Sequence, residues 1–537
     1  MKNPKKNLIF LAIIVYIASI IYYSPRIIDD TILQTARVVS FQKGNGYTQG
    51  YITTMDLSKP VFVTDKTFAP GVDYLLALLM AVFSMKMSLW IASFMAFLLI
   101  LWGGYILLQE YISNTKSSQT WIFWALFLSS PILFQFCGIS DLFSLGFFVT
   151  SVGYTIRIIT YKELTLRFHF IAILIGILAY LSCLFRYAYY LFFWIPLFLL
   201  IIFSFVNKQL WRYSLVSVIT TSIFLVGQLF LQSGREYITN RHSSDLLFKV
   251  LHWDDLRKMA NFGVDSLFSL DFIITILDKI ANKQLTSIVL ITFQFIIGLI
   301  LIIIFVKWIL INYQSIQCES KNSSNRYLAY LQKSEGLIML FVVLTISVNI
   351  LSLIALTVIL GPATTLKGWT YVEERRYYAP FAVCLWLILV RVYNSDITKV
   401  YLKILTVLSV FVIILGASQY FFKIKKYYMN ADIVDLYTMS QLLYDQKQMD
   451  NIFITPQYGY RIADHAAMGG AYLCLLDVVE HAKTNYSRPV TLFIPLPESD
   501  TDISEKKRLN DLIKRFNAQP WIKVKAFGVT TIYKVTL

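Results

Sequence analysis

Apolar runs long enough to cross a bilayer as helices recur from one end of the 537-residue chain to the other. A further apolar piece, 71–85, is too short to span comfortably and is predicted to be a re-entrant or interfacial helix. The pattern therefore predicts a polytopic α-helical membrane protein of about eleven spans. These spans are 7–23, 88–108, 119–136, 142–160, 170–183, 188–206, 213–232, 286–308, 336–360, 378–393 and 400–421.

Beyond residue 423 the pattern changes to short segments typical of a small α/β domain. Strands are predicted at "NIFITP", "RPVTLFIPLP", "WIKVKAFG" and "TTIYKVTL", and helices at "ADIVDLYTMSQLLYDQ" and "SEKKRLNDLIKRF". The segment "YGYRIADHAAMGGAYLCLL" contains Gly469-Gly470 without a phosphate-loop pattern, and it is also predicted to be a helix. The chain is thus predicted to have a membrane module, 1–423, and a soluble α/β domain, 424–537.

Composition and charge narrow the class of protein. Only 15% of the residues are charged, against about 25% in soluble domains, which excludes a soluble enzyme or a nucleic-acid-binding protein for most of the chain. Much of the net charge of +16 comes from Lys and Arg in short loops between spans. By the positive-inside rule these loops are cytoplasmic. The N-terminus is then cytoplasmic, and loops 24–70 and 233–285 and the C-terminal domain are extracytoplasmic.

The five cysteines are scattered and indicate neither a disulfide framework nor a zinc site. This favours a bacterial plasma (inner) membrane. The expected partners are therefore membrane lipids and whatever substrate the outer loops bind.

Two adjacent carboxylates stand out in "IIDDTILQTARVVSFQKGNGY", residues 27–47. Apolar residues recur at helical spacing after Asp29 and Asp30, which predicts an amphipathic interfacial helix that begins at the acids and ends at the "GNG" turn. A helix-capping role explains one Asp. A second Asp at the boundary of water and lipid is where a base for a lipid-linked substrate would have to be. Both interpretations stay open on position alone.

The segment "DDTILQTARVVSFQKGNGY", followed by "FAPGVDYLLALLMAVFSM", resembles the first outer loop of the GT-C superfamily. These membrane glycosyltransferases use polyprenyl-phosphate sugars and include protein-mannosyl and aminoarabinose transferases. Further similarity lies in "GISDLFSLGFFVTSVGY", "LIGILAYLSCLFRYAYYLFFWIPL" and "EERRYYAPF". The resemblance covers 7–206 and 361–393. Thr31 and Ile32 depart from it, since small and aromatic residues usually follow the acid pair.

The resemblance implies a role for each matching residue. Asp29 would be the general base of an inverting transfer from a polyprenyl-phosphate sugar to a glycan, lipid or protein acceptor, with Asp30 and Asp141 orienting or assisting it. Cations would hold the carrier phosphate, because a guanidinium fork matches phosphate oxygens. These phosphate-binding candidates are Arg375, Arg376, Arg186, Lys66 and Tyr377. No cofactor is expected, and a divalent ion at Asp141 is an open alternative.

Simpler interpretations stay open for several of these residues. The arginine pair fits interfacial snorkelling, and Asp141 fits a helix cap. His242, His465 and the cluster from His252 to Asp255 receive no role. Three other functions also remain: a polymerase or ligase of lipid-linked glycans, a transporter or flippase, and a non-catalytic scaffold.

Overall fold

The computed structural model describes most of the helical region and parts of the C-terminal region. The predicted spans 7–23, 119–136 and 400–421 lie outside the described residues. The described residues are 29–53, 56–63, 69–111, 138–161, 166–233, 252–268, 283–318, 326–365, 375–394, 440, 443–444, 450–455, 465–482, 490–497, 503–516, 522–527 and 530–536.

Helices make up most of the described chain, and two 3₁₀ turns, Tyr187–Tyr189 and Arg375–Tyr378, join them. The helices are α1 (Asp29–Gln42), α2 (Gly71–Met80), α3 (Met85–Tyr111), α4 (Ile139–Thr160), α5 (Leu166–Phe185), α6 (Trp194–Val206), α7 (Leu210–Ser233), α8 (Trp253–Phe268), α9 (Lys283–Cys318), α10 (Arg326–Leu331), α11 (Ser334–Thr365), α12 (Ala379–Asn394), α13 (Leu476–Glu480) and α14 (Ile503–Arg515).

The prediction of a polytopic helical membrane protein with a C-terminal α/β region is confirmed. Seven described helical segments are long and apolar enough to cross a membrane. They lie in α3, α4, α5, the segment from Tyr187 through α6, α7, α9 and α11. The predicted span 378–393 corresponds to α12, which is shorter at 16 residues. In all, eight of the eleven predicted spans correspond to described helices. The apolar piece predicted at 71–85, which is not one of the eleven, forms the short helix α2.

The described chain divides into two compact units. The first unit is helical and contains the described residues of 94–233 and 252–394. Within it α5 and α7 are joined by hydrogen bonds: Ser217 Oγ donates to the Ala172 carbonyl at 2.7 Å, and Thr221 Oγ1 donates to the Gly176 carbonyl at 3.1 Å. Small polar residues that let backbones approach and bond in this way are typical of helix contacts in membranes.

The second unit contains the described residues of 29–93 and 440–536 and is built on a seven-stranded sheet. The strand order is β2-β1-β4-β3-β5-β7-β6, with β1, β4, β3 and β5 parallel and β2, β7 and β6 antiparallel to their neighbours. The strands are β1 (Gln49–Ile52), β2 (Val61–Val63), β3 (Asp450–Thr455), β4 (Tyr472–Leu475), β5 (Val490–Pro497), β6 (Ile522–Phe527) and β7 (Thr530–Thr536).

Strands β1 and β2 come from the segment 24–70, while the other five come from the C-terminal region. Tyr51 pairs with Leu473, and Ile52 with Cys474, in a parallel arrangement. This compact unit therefore combines two parts of the chain that the sequence pattern assigned to different domains.

The helix predicted over "YGYRIADHAAMGGAYLCLL" is wrong in its second half. A helical turn covers 465–468, a turn follows at Gly469-Gly470, and residues 472–475 form β4. Gly470 has a φ of +83°, which an α-helix cannot accommodate and which favours glycine. The β4 segment then pairs with both β1 and β3.

Helix α1 forms where the sequence predicts it, but it is buried over most of its length. Ala36 packs in a core with Phe453 and Phe493 of the sheet. Lys43 Nζ donates to the Gly470 carbonyl at 2.6 Å. The C-terminal region therefore covers α1, although the spacing of apolar residues in its sequence predicts an interfacial helix.

Candidate functional site

The sequence-predicted site residues fall in both compact units, and each group has its own geometry. In the helical unit, Asp141 lies in the first turn of α4, and Gly138 precedes that helix as its N-cap. Asp141 Oδ2 accepts the Gly138 backbone N–H at 2.9 Å. This bond satisfies one of the donors that a helix N-terminus leaves unpaired. The capping interpretation of Asp141 thus describes one of its two contacts.

The second contact of Asp141 is a buried ion pair. Arg186 Nε lies 2.5 Å from Asp141 Oδ1, and Arg186 Nη1 donates to Ser140 Oγ at 3.3 Å. Asp141 is 3% exposed and Arg186 9%. Charges this deep persist only when they are paired, so each residue accounts for the burial of the other.

The chain brings Arg186 to this position by ending a helix immediately before it. Helix α5 stops at Phe185, Arg186 takes an extended backbone conformation, and a 3₁₀ turn follows from Tyr187. The side chain therefore leaves the chain at a helix end, facing the first turn of α4. Helices α4 and α5 are consecutive and packed together. Their short connection therefore brings the C-terminal end of α5 beside the N-terminal end of α4.

Two arginines meet the ring of Tyr377. The guanidinium carbons of Arg186 and Arg376 each lie 5.6 Å from its centroid, which is cation–π distance. Asn349 Nδ2 donates to the Tyr377 carbonyl at 2.8 Å. The neighbouring Tyr378 hydroxyl donates to the Met259 carbonyl of α8 at 3.2 Å. Helices α8 and α11 thus hold the turn that carries Arg376 and Tyr377.

A small cavity of about 20 Å³ lies among these groups, lined by Asp141, Tyr189, Asn349, Arg376 and Tyr377, among others. That volume accommodates about one water molecule. A sugar phosphate would need these side chains to move apart. Chemically, the arrangement offers positive charge in an apolar setting, with the Asp141 carboxylate committed to orienting Arg186.

The predicted acid pair lies in the second unit, at the start of α1. Asp29 is the first residue of the helix, and Asp30 is 8% exposed. Further along α1, Arg37 Nη2 lies 2.8 Å from Asp73 Oδ2 in α2. Asp73 is only 1% exposed. This second buried ion pair joins α1 to α2.

Four predicted site residues therefore come together in the helical unit. Asp141, Arg186, Arg376 and Tyr377 form one cluster. Asp30 belongs to the other unit. The side chains of Asp29 and Arg375, and the whole of Lys66, lie outside the described residues.

Sequence reasoning missed Ser140, Asn349 and Asp73. The first two are common helix residues with no local signal of their function. Asp73 carried a signal, because it is the single charge within the apolar segment 71–85. Among the described residues, no group of three or more His, Cys, Asp or Glu side chains has the arrangement of a metal site.

These features define a class: a polytopic membrane protein with a buried, arginine-rich cluster at helix ends and an acid pair on a helix covered by a C-terminal sheet. No protein-family model matches the sequence, and no curated protein matches it.

Two solved structures overlap with much of the chain. ArnT from Cupriavidus metallidurans bound to undecaprenyl phosphate is 10% identical, with 98% of this chain and 97% of that chain covered and a TM-score of 0.42. The archaeal oligosaccharyltransferase AglB from Archaeoglobus fulgidus, in complex with an inhibitory peptide and a dolichol-phosphate, is 14% identical, with 86% of this chain and 63% of that chain covered and a TM-score of 0.41. At these values the overlap assigns no role to any residue of this chain.

Proposed function

We propose that this protein transfers a sugar from a polyprenyl-phosphate carrier to a glycan, lipid or protein acceptor on the extracytoplasmic face of the membrane. The observation that carries the proposal is the meeting of Arg186 and Arg376 at Tyr377, both 5.6 Å from one ring. Two guanidinium groups on an apolar helical unit suit a ligand that combines an anionic head with a lipid tail.

The chemistry of the donor explains why the protein needs cations. A sugar on a polyprenyl phosphate already has a good leaving group, and negative charge grows on the phosphate as the bond to the anomeric carbon breaks. Positive groups fixed in a low-dielectric site stabilise that charge at little reorganisation cost. The ion pair with Asp141 holds Arg186 in place before substrate arrives, and Arg376 supplies a second positive charge.

The acceptor needs a base, and Asp29 is the residue that we assign to it. The acceptor hydroxyl loses its proton to the carboxylate as its oxygen bonds to the anomeric carbon, and the phosphate leaves on the opposite side. This displacement inverts the anomeric configuration, as a single base does in inverting glycosidases. Asp30 then orients or assists, and the predicted orientation puts both acids on the extracytoplasmic side.

The test uses the purified protein in liposomes with radiolabelled polyprenyl-phosphate sugars and measures transfer to added acceptors. Arg376→Gln should raise the KM for the donor by about tenfold or more, because a charge-assisted bond is worth about 1.5–3 kcal/mol. Arg391→Gln is the matched control. It changes an arginine in α12 that pairs with Glu335 at 2.6 Å, and it should leave the KM unchanged.

Asp29→Asn tests the base directly and should lower kcat by about 100-fold or more. Asp30→Asn provides the adjacent comparison and should have the smaller effect. Full activity in Asp29→Asn would remove the assigned base. If Arg376→Gln were then inactive, a ligase acting on lipid-linked glycans would be favoured. No transfer by the wild-type protein from any donor would contradict the proposal.

A further inference from the structure

Two motifs that are separate in the sequence meet in the second unit. The "AR" at 36–37 and the "PGVD" at 70–73 are joined by an ion pair. Arg37 Nη2 lies 2.8 Å from Asp73 Oδ2 and 3.0 Å from Asp73 Oδ1. We propose that this pair positions α1, and therefore the acid pair at its N-terminus, for sugar transfer. This inference rests on the proposed function of those acids.

The position of Arg37 on α1 supports a positioning role. Asp30, Gln34 and Arg37 have i, i+4, i+7 spacing, so they lie along one face of the helix. At a rise of about 1.5 Å per residue, Asp29 and Asp30 are only about 10–12 Å along the axis from Arg37. A helix moves as a stiff element over that distance. Fixing the rotation of α1 at Arg37 therefore fixes the direction of its first turn.

Asp73 is suited to be the fixed partner. It lies in the first turn of α2, three residues after the N-cap Pro70, where the helix dipole favours a carboxylate. Its 1% exposure leaves it almost no freedom to choose another position. Both carboxylate oxygens lie within 3.0 Å of Arg37 Nη2, so a rotation or slide of α1 would break both contacts.

Stability alone does not account for the pair. Replacing a buried ion pair with well-packed apolar side chains is often neutral or stabilising, and α1 already has an apolar anchor at Ala36 in the sheet core. In addition, Thr31 Oγ1 and Gln34 Oε1 are buried and have no hydrogen-bond partner in the described part of the chain. Buried polar atoms without a partner call for an explanation, and a catalytic role or a bound water beside the first half of α1 supplies one.

The test compares Arg37→Met/Asp73→Leu with a matched double variant, Arg391→Met/Glu335→Leu. Each removes one arginine–carboxylate ion pair, and Arg391 and Glu335 belong to the helical unit. Three quantities are measured on the full chain: the midpoint of thermal unfolding, hydrogen exchange of 29–42, and kcat for sugar transfer as a function of pH.

We expect the first double variant to unfold within a few degrees of wild type. Exchange in the first half of α1 should rise at least tenfold, and kcat should fall at least tenfold with a changed pH profile, because the base is no longer held in one orientation. The control variant, Arg391→Met/Glu335→Leu, should keep both the exchange rate of α1 and kcat within twofold of wild type. Arg37→Lys, which retains the charge, should recover part of the lost kcat.

Unchanged exchange in α1 would overturn the inference, and so would faster exchange with kcat within twofold of wild type. If the double variant does not fold, Arg37→Lys carries the test, since faster exchange with unchanged kcat again contradicts positioning. A wild-type protein that transfers no sugar overturns the proposed function. The exchange measurement then decides separately whether the pair orders α1.

Discussion

Breaking the ion pair of Asp141 and Arg186 should destabilise the helical unit far more than removing both charges. At the observed 2.5 Å and an effective dielectric constant of about 20, the attraction is roughly 6–7 kcal/mol. Desolvation of each ion costs several kcal/mol, so the pair contributes little in net terms. Removing one partner leaves the other charge buried without its counter-ion, which costs about 3–5 kcal/mol.

The substitutions can be chosen to leave the helix cap in place. Asp141→Asn removes the charge but keeps an oxygen that can accept the Gly138 N–H, which is 2.9 Å from the carboxylate. Arg186→Met removes the guanidinium and keeps most of the apolar stem. We expect each single variant to lose about 3–5 kcal/mol, and the double variant, which leaves no unpaired buried charge, to lose no more than about 1–2 kcal/mol.

The assay is equilibrium unfolding in mixed micelles titrated with a denaturing detergent and followed by tryptophan fluorescence. Hydrogen exchange of the first turn of α4 shows whether the cap remains in Asp141→Asn. The reasoning is refuted if the two single changes add to within about 0.5 kcal/mol, as independent sites do. It is also refuted if either single change costs less than about 1 kcal/mol.

Three further predictions concern the second unit. Gly44→Ala should cost about 1–2 kcal/mol in thermal unfolding, because Gly44 has φ +84° and open space around it. Gly470→Ala should cost at least about 1 kcal/mol more, because its new Cβ would lie 2.8 Å from a valine methyl. Equal losses would contradict the packing at Gly470. Gln34→Leu removes a buried acceptor without a described partner and should raise the unfolding free energy by about 1 kcal/mol; a loss of stability would show that the amide is bonded. Burial raises the pKa of the Cys474 thiol to about 12, so it should resist alkylation at pH 8 while exposed Cys318 is modified, as peptide mass spectrometry would show.

The membrane helices could be predicted because each apolar run carries its own signal. The span predicted at 142–160 corresponds to α4 at Ile139–Thr160, and that at 213–232 to α7 at Leu210–Ser233. The short strands β1 and β2 carried no comparable signal. They have four and three residues and are stabilised by pairing with distant segments. Their structure depends on partners that local periodicity does not reveal.

The candidate site could be predicted as a set of residues but not as a geometry. The motifs selected Asp141, Arg186, Arg376 and Tyr377, which the helices bring together. No sequence pattern indicates that Asp141 is engaged by an arginine 45 residues away. Asp73 was missed because its apolar surroundings predicted only a membrane-associated helix. Its charge is compensated by Arg37 of α1, which no local pattern around Asp73 indicates.

The mixed origin of the sheet determines what a deletion of the C-terminal region would measure. Strand β1 pairs with β4 through Tyr51 and Leu473, and Lys43 at the end of α1 bonds to the Gly470 carbonyl. Removing the tail would expose an edge of β1 and uncover α1, so activity would fall even if the tail had no part in choosing the acceptor. Exposed unpaired edges also favour aggregation. Whether the C-terminal region helps to select the acceptor is therefore tested by substituting its exposed side chains on an intact sheet, with the order of α1 verified by hydrogen exchange in each variant.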